Sequence, residues 1–560
     1  MPADIKKLRA RFKELRDHRS PFEARYRRLA RYILPDSGRF EASDNALMDD
    51  RWKFVFDATA TDAAGALAAG LLAGITSPAR PWFRLTTGDP ELDEDYQNRT
   101  WLADVTDRLQ KMFLSSNVYP ALIQIYEEMA VFGTACAIVR PSETEGIHIF
   151  PMTIGEYWVA EDYENRVSTV FRRIAMTAEQ IVEEFGESVC SKAVRDAYAS
   201  ENNRYKVFQI IHAVYPRENY DPKKRDNRNM KYASVYFEES YAENEDTDVL
   251  LEEGFRSFPA LCPRWQIHGG SAYGTSPGMK ALREVMSLQV CTKRESEGIN
   301  ELTNPAMIYP ASMENHQLDF APGGISFYAD GGTPCLLYTS PSQQAFPAKQ
   351  VSINLQHLSL SLQEKRKKIE SYFYKDLFAA IMSTPRTNRT AYEVDQVAQE
   401  RMSLLGPVLQ RLNSELLRPL IEMGMYCLER ADSMPPMPEG MVGVTVTFES
   451  ILVQALRAAG ITAEDRYLST AFSIANFDQS IIDNLDLDKL MQKRGLSSGI
   501  DPDIMRSPEA VEELRAARQQ AQAQQAQMAQ AMQMSEVAKN LQGLNPQMDQ
   551  VGTITQNQGY

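Results

Sequence analysis

Apolar residues open the chain at helical spacing, with Ile5, Leu8, Phe12 and Leu15 on one face. The stretch SPFE then predicts a new helix start. Ser20 is its N-cap, Pro21 its first helical residue and Glu23 its capping-box partner, so residues 1–34 read as two amphipathic helices. Residues 92–132 keep the helical period, with Leu102, Val105, Leu109, Met112 and Phe113 on one side. From residue 134 the period shortens to that of strands. TACAIVR, GIHIFPM, EYWVAED and RVSTVFRRI are short β-rich runs divided by Gly, Pro and Asn. TAEQIVEEF returns to helix, capped by Thr177 with Gln180 three residues on. YKVFQIIHAVYP, KYASVYFEE and DVLLEEGF read as further strands, and RENYDPKKRDNRN as a polar surface loop. The first half is therefore α+β with an antiparallel sheet.

The second half is organised around long helices. Ser276–Leu302 predicts a helix of about 27 residues, roughly 40 Å long, capped by Ser276 with Pro277 next. Residues 304–350 are rich in Pro and Gly and hold short strands in AMIYP, ISFYAD and CLLYTS. Asn354–Met382 predicts a second long helix with Leu358, Leu362, Ile369, Phe373 and Leu377 as its stripe. A third runs from Tyr392 to Arg430, and Pro407 and Pro419 predict kinks in it. Two long helices bracketing a small insert form a hairpin that projects the insert. The tail from Ser507 is rich in Ala and Gln, with high helix propensity and a thin apolar face, and residues 546–560 read as disordered.

At 560 residues the chain exceeds one ordinary core, and two to four domains are expected. Its net charge of −15 argues against coating nucleic acid with the whole surface, while leaving room for local basic contacts. Eleven Lys and Arg residues between Lys6 and Arg31 make the N-terminal region locally basic: a solvated face, or a contact for nucleic acid or an acidic neighbour. The charged start is no signal peptide. Asp57–Pro78 is weakly polar and long, but Ala and Gly insert poorly and Asp62 adds roughly 2.5 kcal/mol against insertion. Gly65, Gly70 and Gly74 there predict close helix packing in a soluble protein. The six cysteines form no CxxC pair and read as isolated core residues of a reducing compartment.

The sequence offers no catalytic constellation. None of the six histidines pairs at HxH or HxxxH spacing, there is no GxSxG elbow, and FEESYAENEDTD reads as a solvated turn. No catalytic residue, metal or cofactor is expected. Two clusters of cations stand out. EKRKK places Lys365, Arg366, Lys367 and Lys368 on the second long helix, as candidates for ion pairs or for DNA phosphate contact. STPRTNRTAYEVDQ places Arg386 and Arg389 in a polar connector between long helices.

Three segments carry a resemblance: FDATATDAAGALAAGLLAGITSPARPWFRL from Phe56, FRSFPALCPRWQIHGGSAYGTSPGMKAL from Phe255, and RTAYEVDQVAQERMSLLGPVLQRLNSELLRPLIE from Arg389. In this order they are similar to the portal, or head-to-tail connecting, proteins of short-tailed bacteriophages. The resemblance implies the α+β portal fold, with an α/β wing, a two-helix stem, a small αβ clip, a long kinked helix and a helical crown. The wing would be 1–275 together with 383–440, the stem helices 276–303 and 354–382, the clip 304–353 and the crown 441–545. It implies a homo-oligomeric ring, usually of twelve copies, at one capsid vertex of the virion, assembled in the host cytoplasm. Double-stranded DNA would pass through its channel without sequence reading. A terminase motor, a tail adaptor, and capsid and scaffolding proteins would be its partners. Ser383, Thr384, Arg386, Asn388 and Arg389 match the family's DNA-facing channel loop. A nuclease or hydrolase with a distributed site, and a coiled-coil scaffold, are the competing expectations; the missing motif and the β-rich first half count against them.

Overall fold

The computed structural model describes residues 4–40, 50–89, 92–93, 95–221, 224, 226–239, 249–310, 323–328, 346–347, 355–382, 405–438, 440–441 and 443–448, with short stretches between 490 and 534. The chain divides into two compact units, residues 1–456 and 457–560. In the second, the described residues between 514 and 534 are helical and exposed, Met528, Met532 and Met534 included.

In the first unit, α1 (Ile5–Tyr32) starts at Asp4, whose carboxylate accepts from the Lys6 and Lys7 amides. The two helices expected here are one. Pro21 lies inside α1, and Ser20 caps nothing. Pro21 and Asp17, whose carbonyl loses its helical donor, are both exposed, so that bond is lost on the solvent side where water can replace it. The buried stripe meanwhile continues across the site through Leu15, Arg19, Tyr26 and Leu29, and that packing holds the helix together.

Strands β4 (Tyr157–Glu161), β5 (Val167–Thr177), β6 (Val207–Pro216), β7 (Tyr232–Glu238) and β8 (Leu251–Phe255) form a five-stranded sheet in sequence order, antiparallel throughout. Helix α1 covers one face, packing Leu8, Phe12 and Leu15 on Trp158, Phe171, Ile211 and Phe237. Helices α5 (Ala178–Phe185) and α6 (Lys192–Ala199) cover the other. The first of these carries the capping box expected at Thr177 and Gln180.

The largest core gathers α2 (Thr59–Ile75), α3 (Tyr96–Ser115), α4 (Val118–Phe132), β2 (Cys136–Ser142), β3 (Gly146–Met152) and the bases of the long helices. Helix α2 packs closely at Gly70 and Gly74, both buried, whereas Gly65 faces open space and carries no such contact. A Cβ at Gly70 would come within 2.4 Å of the Phe378 ring. No described helix is long and apolar enough to cross a membrane. Strand β1 (Phe83–Thr86) pairs with Thr445–Phe448.

Helix α7 (Pro277–Thr303) starts as expected, with the Ser276 hydroxyl accepting from the Met279 amide. Beyond it, Met307–Pro310 pairs in parallel with Ile325–Tyr328 and antiparallel with Phe346–Pro347. CLLYTS lies outside the described residues. The single helix expected over 354–382 is two, α8 (Leu355–Tyr372) and α9 (Lys375–Met382), separated at Tyr374, where φ is +55°. The break seats Phe373, Leu377 and Phe378 in the core, with Phe378 against Gly70, and that burial outweighs continuity of the helix. Residues 405–430 are helical, with a π turn over Asn413–Leu417 just before Pro419. The wider turn absorbs the donor that Pro419 cannot supply.

Candidate functional site

Helices α7 and α8 pack together through Ala281, Leu282, Val285 and Leu288 on one and Leu362 and Ile369 on the other. Helical spacing puts these apolar residues on the seam and pushes the EKRKK cations to its edges. Most of those cations are met by partners from the same chain. Lys368 Nζ lies 2.5 Å from Glu284 Oε1, and Lys365 Nζ lies 3.0 Å from the Ser287 hydroxyl and 3.9 Å from Glu284 Oε2. The Lys368 hydrogen bond, foremost, holds the Glu284 carboxyl below the usual range. Arg366 reaches past the hairpin, its Nε donating to Asp57 Oδ2 at 2.8 Å. Lys367 is exposed.

Asp57 is the meeting point of the hairpin and α2. Its side chain is 5% exposed. Burial would raise its carboxyl, but hydrogen bonds from Thr59 and Arg366 outweigh burial and leave it lowered. Its Oδ1 accepts from the Thr59 amide at 2.9 Å and the Thr59 hydroxyl at 2.5 Å. Gln289 of α7 closes the junction. Its Oε1 accepts from the amides of Phe56 and Asp57 at 2.7 and 2.9 Å, and its Nε2 donates to the Asp57 carbonyl at 2.7 Å.

A second node fixes the long helix at its π turn. The Arg264 side chain is fully buried, and Glu161 and Glu415 beside it are each 15% exposed. Arg264 Nη2 donates to Glu415 Oε1 at 2.7 Å and to the Asn165 carbonyl at 2.6 Å, and Nη1 donates to Glu161 Oε2 at 3.1 Å. The Arg264 amide also donates to Glu415 Oε2 at 2.9 Å. One guanidinium thus joins the β4–β5 turn, the segment entering α7 and the π turn. Its planar fork suits this set of acceptors as a lysine could not.

Arg19, counted with the basic N-terminal face, is buried. It donates to the Tyr157 carbonyl at 2.6 Å and to Glu23 at 3.0 Å, over the Trp158 ring. Ser383, Thr384, Arg386, Asn388 and Arg389 lie outside the described residues. The partners of the EKRKK run escaped sequence reading: Asp57 and Glu284 lie 309 and 84 residues from the cations they meet. So did the Arg264 node, which no local pattern signals. Among the described residues no three His, Cys, Asp or Glu side chains converge as metal ligands. The arrangement joins helices and neutralises charge; it positions no nucleophile or acid–base pair.

The family model described as bacteriophage head to tail connecting protein matches residues 5–505. A probable portal protein of Bordetella phage BPP-1 is 38% identical over 521 residues, 92% of each chain. The portal protein of Salmonella phage epsilon15 is 34% identical over 511 residues, 90% of this chain and 89% of its own. The portal protein of Escherichia phage T7 is 24% identical, over 78% of this chain and 77% of its own. Among solved structures, a chain from the neck of an empty gene transfer agent particle is 12% identical. It covers 80% of this chain and 96% of its own, with a TM-score of 0.35.

Proposed function

The chain belongs to the family of bacteriophage head-to-tail connecting proteins, and from that premise we propose how its parts serve a DNA conduit. It is a portal protein, a structural component of the virion at the portal vertex and not an enzyme. On our reading about twelve copies close into a ring, and double-stranded DNA crosses the central channel during packaging and ejection. Residues 1–275 with 383–440 form the wing, 276–303 and 354–382 the stem, 304–353 the clip and 441–545 the crown. A terminase motor and then a tail adaptor dock at the clip, and capsid and scaffolding proteins are further partners.

The observation that carries this division of labour is the charge pairing of the helical hairpin. Lys365, Arg366 and Lys368 are engaged by Glu284, Ser287 and Asp57 of their own chain. Cations already paired release few counterions from a passing duplex, so the hairpin grips phosphate weakly and lets DNA slide. Arg386 and Arg389 then supply the local, sequence-independent attraction, as a collar repeated around the ring.

Negative-stain class averages of the purified protein test the ring, which is expected to show a central hole; a uniform small monomer overturns it. Replacing Arg386 and Arg389 with Ala is expected to leave ring assembly intact and to impair DNA packaging or retention. Normal packaging and retention by that double variant overturn the role given to the loop.

A further inference from the structure

Strand β2 pairs antiparallel with β9 (Ala260–Leu261), so that Ala137 faces Leu261 and Ile138 faces Ala260. The ladder runs on beyond the short strand. The Ala135 amide donates to the Pro263 carbonyl at 3.0 Å, Trp265 to Gly133 at 2.9 Å and Val139 to Pro259 at 2.8 Å, and Thr134 bridges Arg264. Backbone bonds therefore fall at the odd-numbered residues of β2, and Cys136 faces Cys262 at a non-hydrogen-bonded position between two of them. Facing Cα atoms at such positions stand about 4.5 Å apart, within the roughly 4.4–6.8 Å that a disulfide spans. The two sulfurs lie 3.2 Å apart. Both residues are buried, at 1% and 3% exposure.

We propose that Cys136 and Cys262 are a modification site, at which a peroxide-class oxidant joins the two thiols of one chain into a disulfide once the particle leaves the reducing cytoplasm. Two S–H bonds and the peroxide O–O bond break, one S–S bond forms, and two waters leave. The sulfurs give up two electrons, and the peroxide oxygens take them. The new bond staples β2, in the main core, to the segment that carries Arg264 and leads into α7. Burial, followed by the hydrogen bond with Cys262, raises the Cys136 thiol well above its ordinary range. Thiolate is scarce as a result, which slows oxidation, and the reducing cytoplasm keeps the pair as thiols while the protein folds and assembles. Sequence spacing could not show this pair, because 126 residues separate its members.

The test uses the assembled full-length protein, treated with hydrogen peroxide and, separately, with the thiol oxidant diamide. After denaturation in an alkylating reagent, the modified cysteines are expected to fall from six to four, and a reductant restores all six. Peptide mapping is expected to join Cys136 to Cys262 within one chain, with Cys190, Cys291 and Cys427 as internal controls. The melting midpoint is expected to rise on oxidation and return on reduction, and to stay unchanged in Cys136→Ser. Mapping of the wild-type protein decides the matter if that variant misfolds. Free Cys136 and Cys262 after oxidation, or their linkage to other cysteines or other chains, overturns the proposal. A midpoint that the crosslink does not move overturns the stapling role.

Discussion

Arg264→Ala removes a guanidinium that binds two carboxylates and one carbonyl, and leaves Glu161 and Glu415 facing each other's charge without a cation between them. Removing one partner of a buried ion pair costs about 3–5 kcal/mol, because the survivor stays desolvated. Both carboxylates are 15% exposed, so water reaches them in part, and the lower end, about 3 kcal/mol, applies. Glu415→Ala leaves Arg264 its bonds to Glu161 and Asn165, and about 2 kcal/mol is expected. If the two residues work as one clamp, their losses overlap. The double variant should then lose at least about 1.5 kcal/mol less than the sum. The assay is native-state hydrogen exchange on the amides of 413–430, which reads the opening free energy of the π turn and the helix after it. Additivity within about 0.5 kcal/mol refutes the clamp. So does unchanged protection in Arg264→Ala with the loss appearing elsewhere. Replacing Arg264, Glu161 and Glu415 together with apolar residues of similar size should recover much of the loss, because no orphaned charge remains.

Gln289→Ala removes three hydrogen bonds to the backbone at Phe56 and Asp57, and about 2–3 kcal/mol of local stability should go with them, read as faster exchange at 56–59. Gly70→Ala should destabilise by about 1–3 kcal/mol, since the new methyl meets the Phe378 ring, as thermal melting would show. Gly65→Ala, in the same helix with open space around the new carbon, should stabilise by about 0.5–1 kcal/mol. The Glu128 carboxyl is pushed up to about 7 by burial, against hydrogen bonds from Thr153 and Ile154 that lower it. The folded state therefore holds this proton where the unfolded chain has released it. Its stabilising effect is complete below about pH 4.5 and is lost as pH rises to about 7, a fall on the order of 3 kcal/mol. Glu128→Gln should flatten that part of the urea-midpoint profile against pH, and an unchanged slope would assign it to other groups.

Features that depend on neighbours in the chain are legible in the amino-acid sequence. Ser276 with Pro277, and Thr177 with Gln180, form the expected caps because a cap bonds amides two or three residues away. The five-stranded sheet follows from runs whose alternation and turn residues are themselves local. The hairpin with its small insert can be read from two long apolar stripes around a Pro- and Gly-rich segment. The family resemblance rests on extended stretches of the same kind. At Pro21 and Tyr374, by contrast, local signals are overruled: a proline that reads as a helix start lies within a helix, and an unbroken stripe is interrupted.

The order of elements, their caps and the membership of the family follow from the amino-acid order, because each rests on contacts or patterns within a few residues. Which charges meet is set by packing. Arg366 could have met a phosphate had Asp57, 309 residues away, not been placed beside it, and Arg264 shows no partner in the sequence until the π turn brings Glu415 to it. Cys136 and Cys262 likewise become a pair only through strand register. Periodicity says which face of an element turns inward; which residue waits there is set by how the elements pack, since burial of many apolar side chains outweighs any one local preference.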